Sequence, residues 1–344
     1  MLVLLTGATG FVGSHTVPAL LARGNDVRLL VRDEGRAADA LARRGVARDA
    51  VSIAVGDVLD RSSVEAAVDG CDAVVHAAAA IGVTGPGGGS THDQNVGGTR
   101  HVVDAALAAG CDPVVYVSSV AVFVPPVEPV ITAASPLASP RNDYGRSKVE
   151  AERWVRARQD DGAPVAIVYP GGVIGPDQPR LDTTQEGIVG ARRLGWPMAP
   201  GGVVLLDARD LGDALATAVV AGRGPRRLVL GGTFLTWPEF GDLTDEVCGV
   251  RARRVPLPKP VLVGVGSVLD VVRRVVPIAY PLTRDAAEFM ATMVPTDDDP
   301  ALRELGIRLR PVRQSVTDAV RWLVEAGHLP ASLAPRVGLQ PEHA

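Results

Sequence analysis

The stretch from residue 2 to residue 13, LVLLTGATGFVG, restricts this chain more than any other segment. Residues 2–5 are an uninterrupted apolar run, short enough for a strand buried on both faces. Gly7, Gly10 and Gly13 follow at intervals of three, and helical periodicity begins at Phe11. Missing Cβ atoms let the backbone turn tightly and come close to an anion. The helix after the turn adds free N–H groups and roughly half a positive charge at its N-terminus. Strand, glycine turn and helix in that order suit the pyrophosphate of a dinucleotide. Three glycines alone could belong to an ordinary βα turn; their place between a strand and a helix favours the ligand. The candidate contacts here are Gly7, Thr9, Gly10, Phe11, Val12 and Gly13.

The first helix is expected over residues 11–23, stopping at Gly24, a favoured residue just past a helix end. A second strand over 27–31 ends about 20 residues past the turn, where a dinucleotide fold places its selectivity residue. An acidic side chain there would accept from the ribose hydroxyls of NAD. This chain has Val31 and Arg32 at that point, with Arg36 one helical turn on. A guanidinium matches a 2′-phosphate in charge and in its fork of donors, which favours NADP over NAD. Asp33 leaves an acidic alternative should the strand end one residue later. A third strand is expected over 51–55, followed by Gly56-Asp57-Val58, with Asp57 placed to accept from an adenine amino group and Val58 beside it. Asp60 and a Ser62…Glu65 box are expected to cap the next helix.

The fourth strand, residues 73–76, runs into Ala77, Ala78, Ala79 and Ala80, small residues that leave room for a ligand across the sheet. His76 reads as a core histidine. Residues 82–90, GVTGPGGGS, suggest a substrate-facing lid. A helix over 95–109 leads to a fifth strand, 114–117, from which Ser118 and Ser119 emerge. Residues 124–140 carry five prolines and cannot form a regular element. A helix then spans 144–159. Tyr144 and Lys148 lie four apart on it and share a face. An ammonium beside a phenol lowers a pKa that starts near 10, which yields a group able to exchange protons near neutrality.

The bulk numbers are those of a globular protein with an ample core. The chain has 344 residues, 47% hydrophobic and 22% charged, enough for one large α/β unit with an appended lobe or for two domains. A formal net charge of −4 gives no overall electrostatic footprint for nucleic acid. Short basic clusters at Arg251, Arg253 and Arg254 and at Arg308, Arg310 and Arg313 read as solvated faces. Cys71, Cys111 and Cys248 are too scattered for disulfides or a metal, and the histidines show no ligand spacing, so no metal is assigned. With a strand beginning at residue 2 there is no room for a signal peptide, and a cytoplasmic protein is expected. Residues 255–282 are strongly apolar but broken by prolines and charges, so no integral membrane segment is expected. Core packing, a wall of a hydrophobic substrate pocket or peripheral membrane contact remain open for that stretch.

In order along the chain, TGATGFVG (6–13), GDV (56–58), HAAA (76–79), NVGGT (95–99), YVSSVAVF (116–123), YGRSK (144–148) and PGGVIGP (170–176) resemble the extended short-chain dehydrogenases/reductases. The resemblance covers roughly residues 1–235. It implies a Rossmann-type α/β fold, a doubly wound parallel sheet with a smaller C-terminal substrate lobe. The dinucleotide domain would span 1–170, completed by 203–232; the lobe would use 171–202 and 233–330, with 331–344 a frayed tail. It also implies Ser119 at the substrate carbonyl, Tyr144 as general acid/base, Lys148 on ribose and tyrosine, and Asn95 in support. Ala77, Ala78, Ala79, Pro170, Gly171 and Val173 would complete the cofactor contacts, and a homodimer through helices 95–109 and 143–159 would follow by analogy.

Within that family VRDEGR (31–36) looks like the dihydroflavonol reductase and hydroxysteroid dehydrogenase branch. Nucleotide-sugar epimerases and dehydratases usually carry Asp at 31, Asn at 171 or 172, and an Arg before the strand expected at 203–206. The expectation is therefore a reductase or dehydrogenase moving a hydride between NADP(H) and a fairly apolar carbonyl or alcohol. A nucleotide-sugar enzyme with tightly bound NAD and a non-catalytic NADP-sensing protein are the alternatives. Trp196, Phe234, Trp237 and Phe289 are candidate pocket aromatics with core as their ordinary role.

Overall fold

Unbroken apolar sequence makes the first strand, β1 (Leu2–Thr6), in which Val3, Leu4 and Leu5 are wholly buried. The computed structural model describes residues 1–80, 91–140, 143–272 and 283–337, apart from the side chains of Asp143, Tyr144 and Asp285. After β1 the chain alternates helix and strand: α1 (Phe11–Ala22), β2 (Asp26–Val31), α2 (Glu34–Ala42), β3 (Ser52–Val55), α3 (Arg61–Val68) and β4 (Ala73–His76). The second half of the alternation is α4 (Gly98–Ala108), β5 (Val114–Val117), α5 (Asp143–Asp160) and β6 (Val165–Pro170). Local side chains start these helices. Asp33 accepts from the Arg36 amide at the head of α2, and Asp60 from the Ser62 amide at the head of α3. The expected Ser62…Glu65 box does not form, because Glu65 turns to the Arg61 guanidinium at 2.7 Å.

Seven parallel strands form the main sheet in the order β10-β6-β5-β4-β1-β2-β3, where β10 is Arg226–Leu230. Helices cover both faces. One core packs α1 and α2 with α7 (Ala208–Ala218), through Leu20, Leu41 and Leu215; the other packs α3, α4 and α5, through Val64, Val103 and Val155. This is the doubly wound Rossmann-type α/β architecture expected from the alternation. The order reverses between β1 and β4, so their carboxyl ends diverge and open a crevice there.

Two small sheets build the lobe. One has the order β11-β9-β7, from β7 (Gly172–Ile174), β9 (Gly202–Asp207) and β11 (Thr233–Thr236); the other pairs β8 (Trp196–Met198) with β12 (Arg254–Pro256). Around them lie α6 (Thr183–Leu194), α8 (Trp237–Cys248), α9 (Lys259–Val272), α10 (Arg284–Thr292), α11 (Asp299–Leu305) and α12 (Val312–Glu325). The two units interleave more than the sequence suggests. β9 belongs to the small sheet rather than completing the main one, while α11 returns Ala301 and Leu305 to the main core. Residues 331–337 are better held than the frayed tail expected over 331–344: Ala334 is fully buried in the lobe core, and the Arg336 amide donates to the Cys248 carbonyl at 3.1 Å; residues 338–344 lie outside the described residues. Residues 82–90, the expected lid, lie outside the described residues.

Backbone proximity fixes the β1–α1 turn. Gly7 has φ +80, and a Cβ there would sit 2.7 Å from the backbone of Ala77 and Ala78 at the exit of β4. A Cβ on Gly13 would lie 2.2 Å from the Gly7 carbonyl oxygen. Gly13→Ala should therefore lower stability by about 2 kcal/mol or more through overpacking. Gly187→Ala, on an exposed turn of α6 with nothing within 4 Å, should raise it by roughly 0.5–1 kcal/mol. Thermal unfolding of the two variants checks the contrast; equal shifts would mean that the turn can relax.

Candidate active site

The glycine turn leaves a helix N-terminus open beside close-packed backbone. The Gly10 amide donates to the Gly7 carbonyl at 2.9 Å, which closes the turn. Gly10 itself is exposed, precedes α1 with no side-chain cap, and the first turn of α1 holds no acidic residue. The positive end of the helix is thus not neutralised by its own chain. Phe11, Val12 and Thr9 are half-buried around it, with Phe11 edge-on to the His15 ring at 5.4 Å. A cradle closed by backbone at Gly7 and open at Gly10 fits a dinucleotide pyrophosphate.

The far end of the crevice lies at the carboxyl ends of β2 and β3. Arg32 and Arg36 project from it with side chains 65% and 68% exposed. Each has one loose ion pair, Arg32 with Asp57 at 3.8 Å and Arg36 with Asp33 at 3.7 Å. Exposed pairs of that length hold little energy, so both guanidinia can turn to another anion. Asp33 is occupied capping α2, as described above. Asp57 is tied into its own turn, accepting from the Leu59 amide at 3.0 Å, and Val58 packs on α4 while its carbonyl meets His101.

Between these ends, Thr6 joins β1 to β4. Its hydroxyl accepts from the Ala78 amide at 3.3 Å and shares a hydrogen with His76 Nδ1 at 2.7 Å. His76 also meets Thr99 at 3.2 Å, and burial, aided by the nearby Lys148, lowers its pKa to about 3. It is therefore a neutral core histidine, as the sequence suggests. Ala77 and Ala78 are half-buried and Ala79 is exposed on the crevice floor.

The residues expected to react come from three elements. β5 delivers Ser118 and Ser119, one α4-side turn delivers Asn95, and α5 delivers Tyr144 and Lys148. Ser119 Oγ accepts from the Ala121 amide at 3.1 Å, an arrangement that leaves its O–H to donate. Asn95 is buried in a π-helical turn (Asp93–Gly97); it exchanges two hydrogen bonds with the Ala80 backbone and donates to Ser147 at 3.0 Å. Lys148 is 4% exposed, and desolvation lowers its pKa to about 8 against the opposing pull of Glu152. The Tyr144 side chain lies outside the described residues; its backbone stands one turn before Lys148 on α5.

Beyond β6, Pro170 is buried, and Gly171 and Val173 are half-buried beside the crevice. A Cβ on Gly171 would meet the Gly231 carbonyl oxygen at 2.0 Å, so no sugar-binding side chain fits at that position. Trp196 and Trp237 are core residues of the lobe, the first edge-on to Phe240 and the second tilted against it, and Phe234 and Phe289 pack partly buried under the main sheet.

Two clusters escape a reading of the sequence. Glu152 is completely buried yet accepts from Ser118 Oγ at 2.8 Å, Tyr169 OH at 2.5 Å and Arg156 Nε at 2.8 Å. Its spacing of four from Lys148 was the available signal. Arg44 clamps Asp177 through its side chain at 3.0 Å and its carbonyl at 2.9 Å, and also meets Ser14, so α1 is tied to the loop after β7. Only folding brings these residues together.

Comparison with known proteins agrees with this geometry. The family model of the NAD-dependent epimerase/dehydratase family matches residues 3–192. "Sterol demethylase protein B" of Methylococcus capsulatus is 32% identical over 339 residues, covering 95% of this chain and 99% of that protein. A ketoreductase of Stigmatella aurantiaca, named for 4-hydroxy-2-methyl-3-oxo-4-farnesyl-3,4-dihydroquinoline-1-oxide, is 28% identical with coverages of 95% and 98%. The solved structure of gox2253 superposes with a TM-score of 0.76 at 28% identity, covering 95% of this chain and 99% of that one. The chain belongs to the NAD-dependent epimerase/dehydratase family, the extended short-chain dehydrogenases/reductases, and has that family's NAD(P)-binding Rossmann fold.

Proposed function

We propose that this enzyme is an NADP-dependent reductase or dehydrogenase acting on the carbonyl or alcohol carbon of a fairly apolar small molecule. The observation that carries the reading is the buried Lys148 ammonium, its pKa near 8, one turn from Tyr144 and beside the serine-bearing end of β5. Bound nicotinamide supplies or takes the hydride. In the reduction direction Ser119 donates to the carbonyl oxygen and holds it in register. Tyr144 gives its proton to the oxygen as the alkoxide forms. Lys148 stabilises the phenolate left behind, since an adjacent cation favours the charged form. Asn95 fixes the α5 backbone through Ser147, and Glu152 favours the charged state of Lys148.

NADP over NAD is supported by Arg32 and Arg36, which stand at the ribose end with only weak partners, and by the engagement of Asp33 as a helix cap. An apolar substrate is supported by Gly171, where no polar side chain can enter, and by the names of the two relatives, a sterol-processing protein and a ketoreductase of a farnesylated ring.

A panel of apolar ketones and alcohols, read by nicotinamide absorbance, tests the reading. Stoichiometric NADPH consumption is expected; a protein that retains NAD through purification and consumes none would be a nucleotide-sugar enzyme instead. Tyr144→Phe should lower kcat by about 10²–10⁴ while NADPH binding changes little. Full activity in that variant would remove Tyr144 from its assigned role. Arg32→Asp should move the ratio of kcat/KM for NADPH over NADH toward NADH by about tenfold to a hundredfold, the loss of a charge-assisted contact. An unchanged ratio would exclude Arg32 as the discriminator.

A further inference from the structure

Four of the large apolar side chains most open to solvent lie on a single helix. α9 exposes Val261 by 49%, Val265 by 41%, Val268 by 62% and Val271 by 60%. With the exposed Gly264 these positions recur at three- and four-residue intervals, so they form one stripe. The opposite side of the helix is satisfied, since Leu262 is buried against Ala287 and Ala291 of α10. The usual polarity of a surface helix is inverted here. Between 261 and 271 the polar residues are the half-buried ones: Ser267 donates to the Val263 carbonyl, and Asp270 accepts from the Arg284 amide at 3.0 Å.

Charge identifies what covers this face. Arg251, Arg253 and Lys259, all exposed, precede the stripe. Asp270 is the only carboxylate between residues 251 and 274, in a chain whose formal net charge is −4. An apolar stripe with exposed cations before it, Lys259 at the head of the helix itself, complements an anionic bilayer, with the apolar face at the acyl boundary and the cations at headgroup phosphates. A second copy of the chain fits worse, because an α9–α9 contact offers these cations no carboxylate except Asp270, which already accepts from the Arg284 amide. Over its described residues α9 is too short to span, since 14 residues make about 21 Å of helix against a hydrocarbon core of about 30 Å. We propose that α9 is a peripheral membrane-docking helix, which lays its valine stripe flat on an anionic lipid surface. The inference does not depend on the reaction assigned above, because lipid binding is read without turnover.

Sedimentation of the full chain with vesicles tests it, using phosphatidylcholine alone and phosphatidylcholine mixed with phosphatidylglycerol. Wild-type protein should pellet with the mixed vesicles, less so at high salt, and added inorganic phosphate should compete no better than chloride of equal ionic strength. Val268→Glu/Val271→Glu should bind at least about tenfold more weakly with an unchanged circular dichroism spectrum and thermal midpoint, since both side chains are exposed. Arg251→Glu/Lys259→Glu should lose about tenfold on the mixed vesicles only. Wild-type protein that stays in the supernatant with mixed vesicles would overturn the proposal, and so would a valine variant that binds like wild type. So would a lipid-free dimer that the valine substitutions dissociate in a chain that ignores vesicles; that result would give the face to a second copy.

Discussion

An ammonium group taken out of water is the constraint on which the candidate site depends. Lys148 is 4% exposed, and its pKa of about 8 against an ordinary 10.5 means that burial disfavours the charged form by roughly 3 kcal/mol. The sign matters. A cation whose folded pKa is depressed weakens the fold fully below about pH 8, and the penalty fades as pH rises toward 10.5. A fold keeps such a group only where something offsets it. Here the offset comes from Glu152, itself buried and held by donors from Ser118, Arg156 and Tyr169. Arg156 in turn lies over the Phe123 and Tyr169 rings at 5.6 and 5.8 Å. Glu152, Arg156, Ser118 and Tyr169 thus form one connected polar network, the condition under which buried charge is tolerated, and Lys148 one turn away feels the Glu152 charge.

Sheet topology explains why this network meets the glycine turn. All seven strands of the main sheet run parallel, so every βα connection after β1, β2, β4 and β5 emerges at the same edge. The order reverses between β1 and β4, and the backbone contact of Gly7 with Ala77 and Ala78 sits at that reversal. Thr6 and His76 stitch the two strand ends, which fixes the cradle relative to Lys148. Residues far apart in the chain are placed by strand register, and their positions need no long loops.

The sheet and its cradle were legible because their physics is local. An apolar run, glycines at a fixed spacing and a capping aspartate each act within a few residues, so β1, α1, β4 and β5 fall where the sequence places them. The spacing of Tyr144 and Lys148 and the serine pair at the end of β5 could be read along that frame, whereas the choice of Ser119 over Ser118 rested on the family resemblance alone. Glu152 was not, because nothing in VEAER says that this carboxylate is buried; that follows only once Ser118 and Tyr169 arrive from β5 and β6. The lobe was least legible. β9 falls inside the 203–232 stretch expected to complete the dinucleotide domain, its apolar residues suit either sheet, and only pairing with β7 and β11 decides. The tail reads as frayed from its prolines, whereas Leu329 and Ala334 fill the lobe core.

The chain contains two lysines, Lys148 and Lys259, among 35 basic residues. Arginine serves almost everywhere else, and arginine stays protonated at any working pH, whereas a buried lysine can be tuned. That distinction gives the most direct test. Incorporating ¹⁵N-lysine leaves two side-chain resonances, which a Lys259→Arg variant assigns. Titration of the Lys148 signal should show a midpoint near 8. A midpoint at the ordinary lysine value of about 10.4 would mean that the ammonium is solvated, and the account of a buried cation tuning Tyr144 would be wrong.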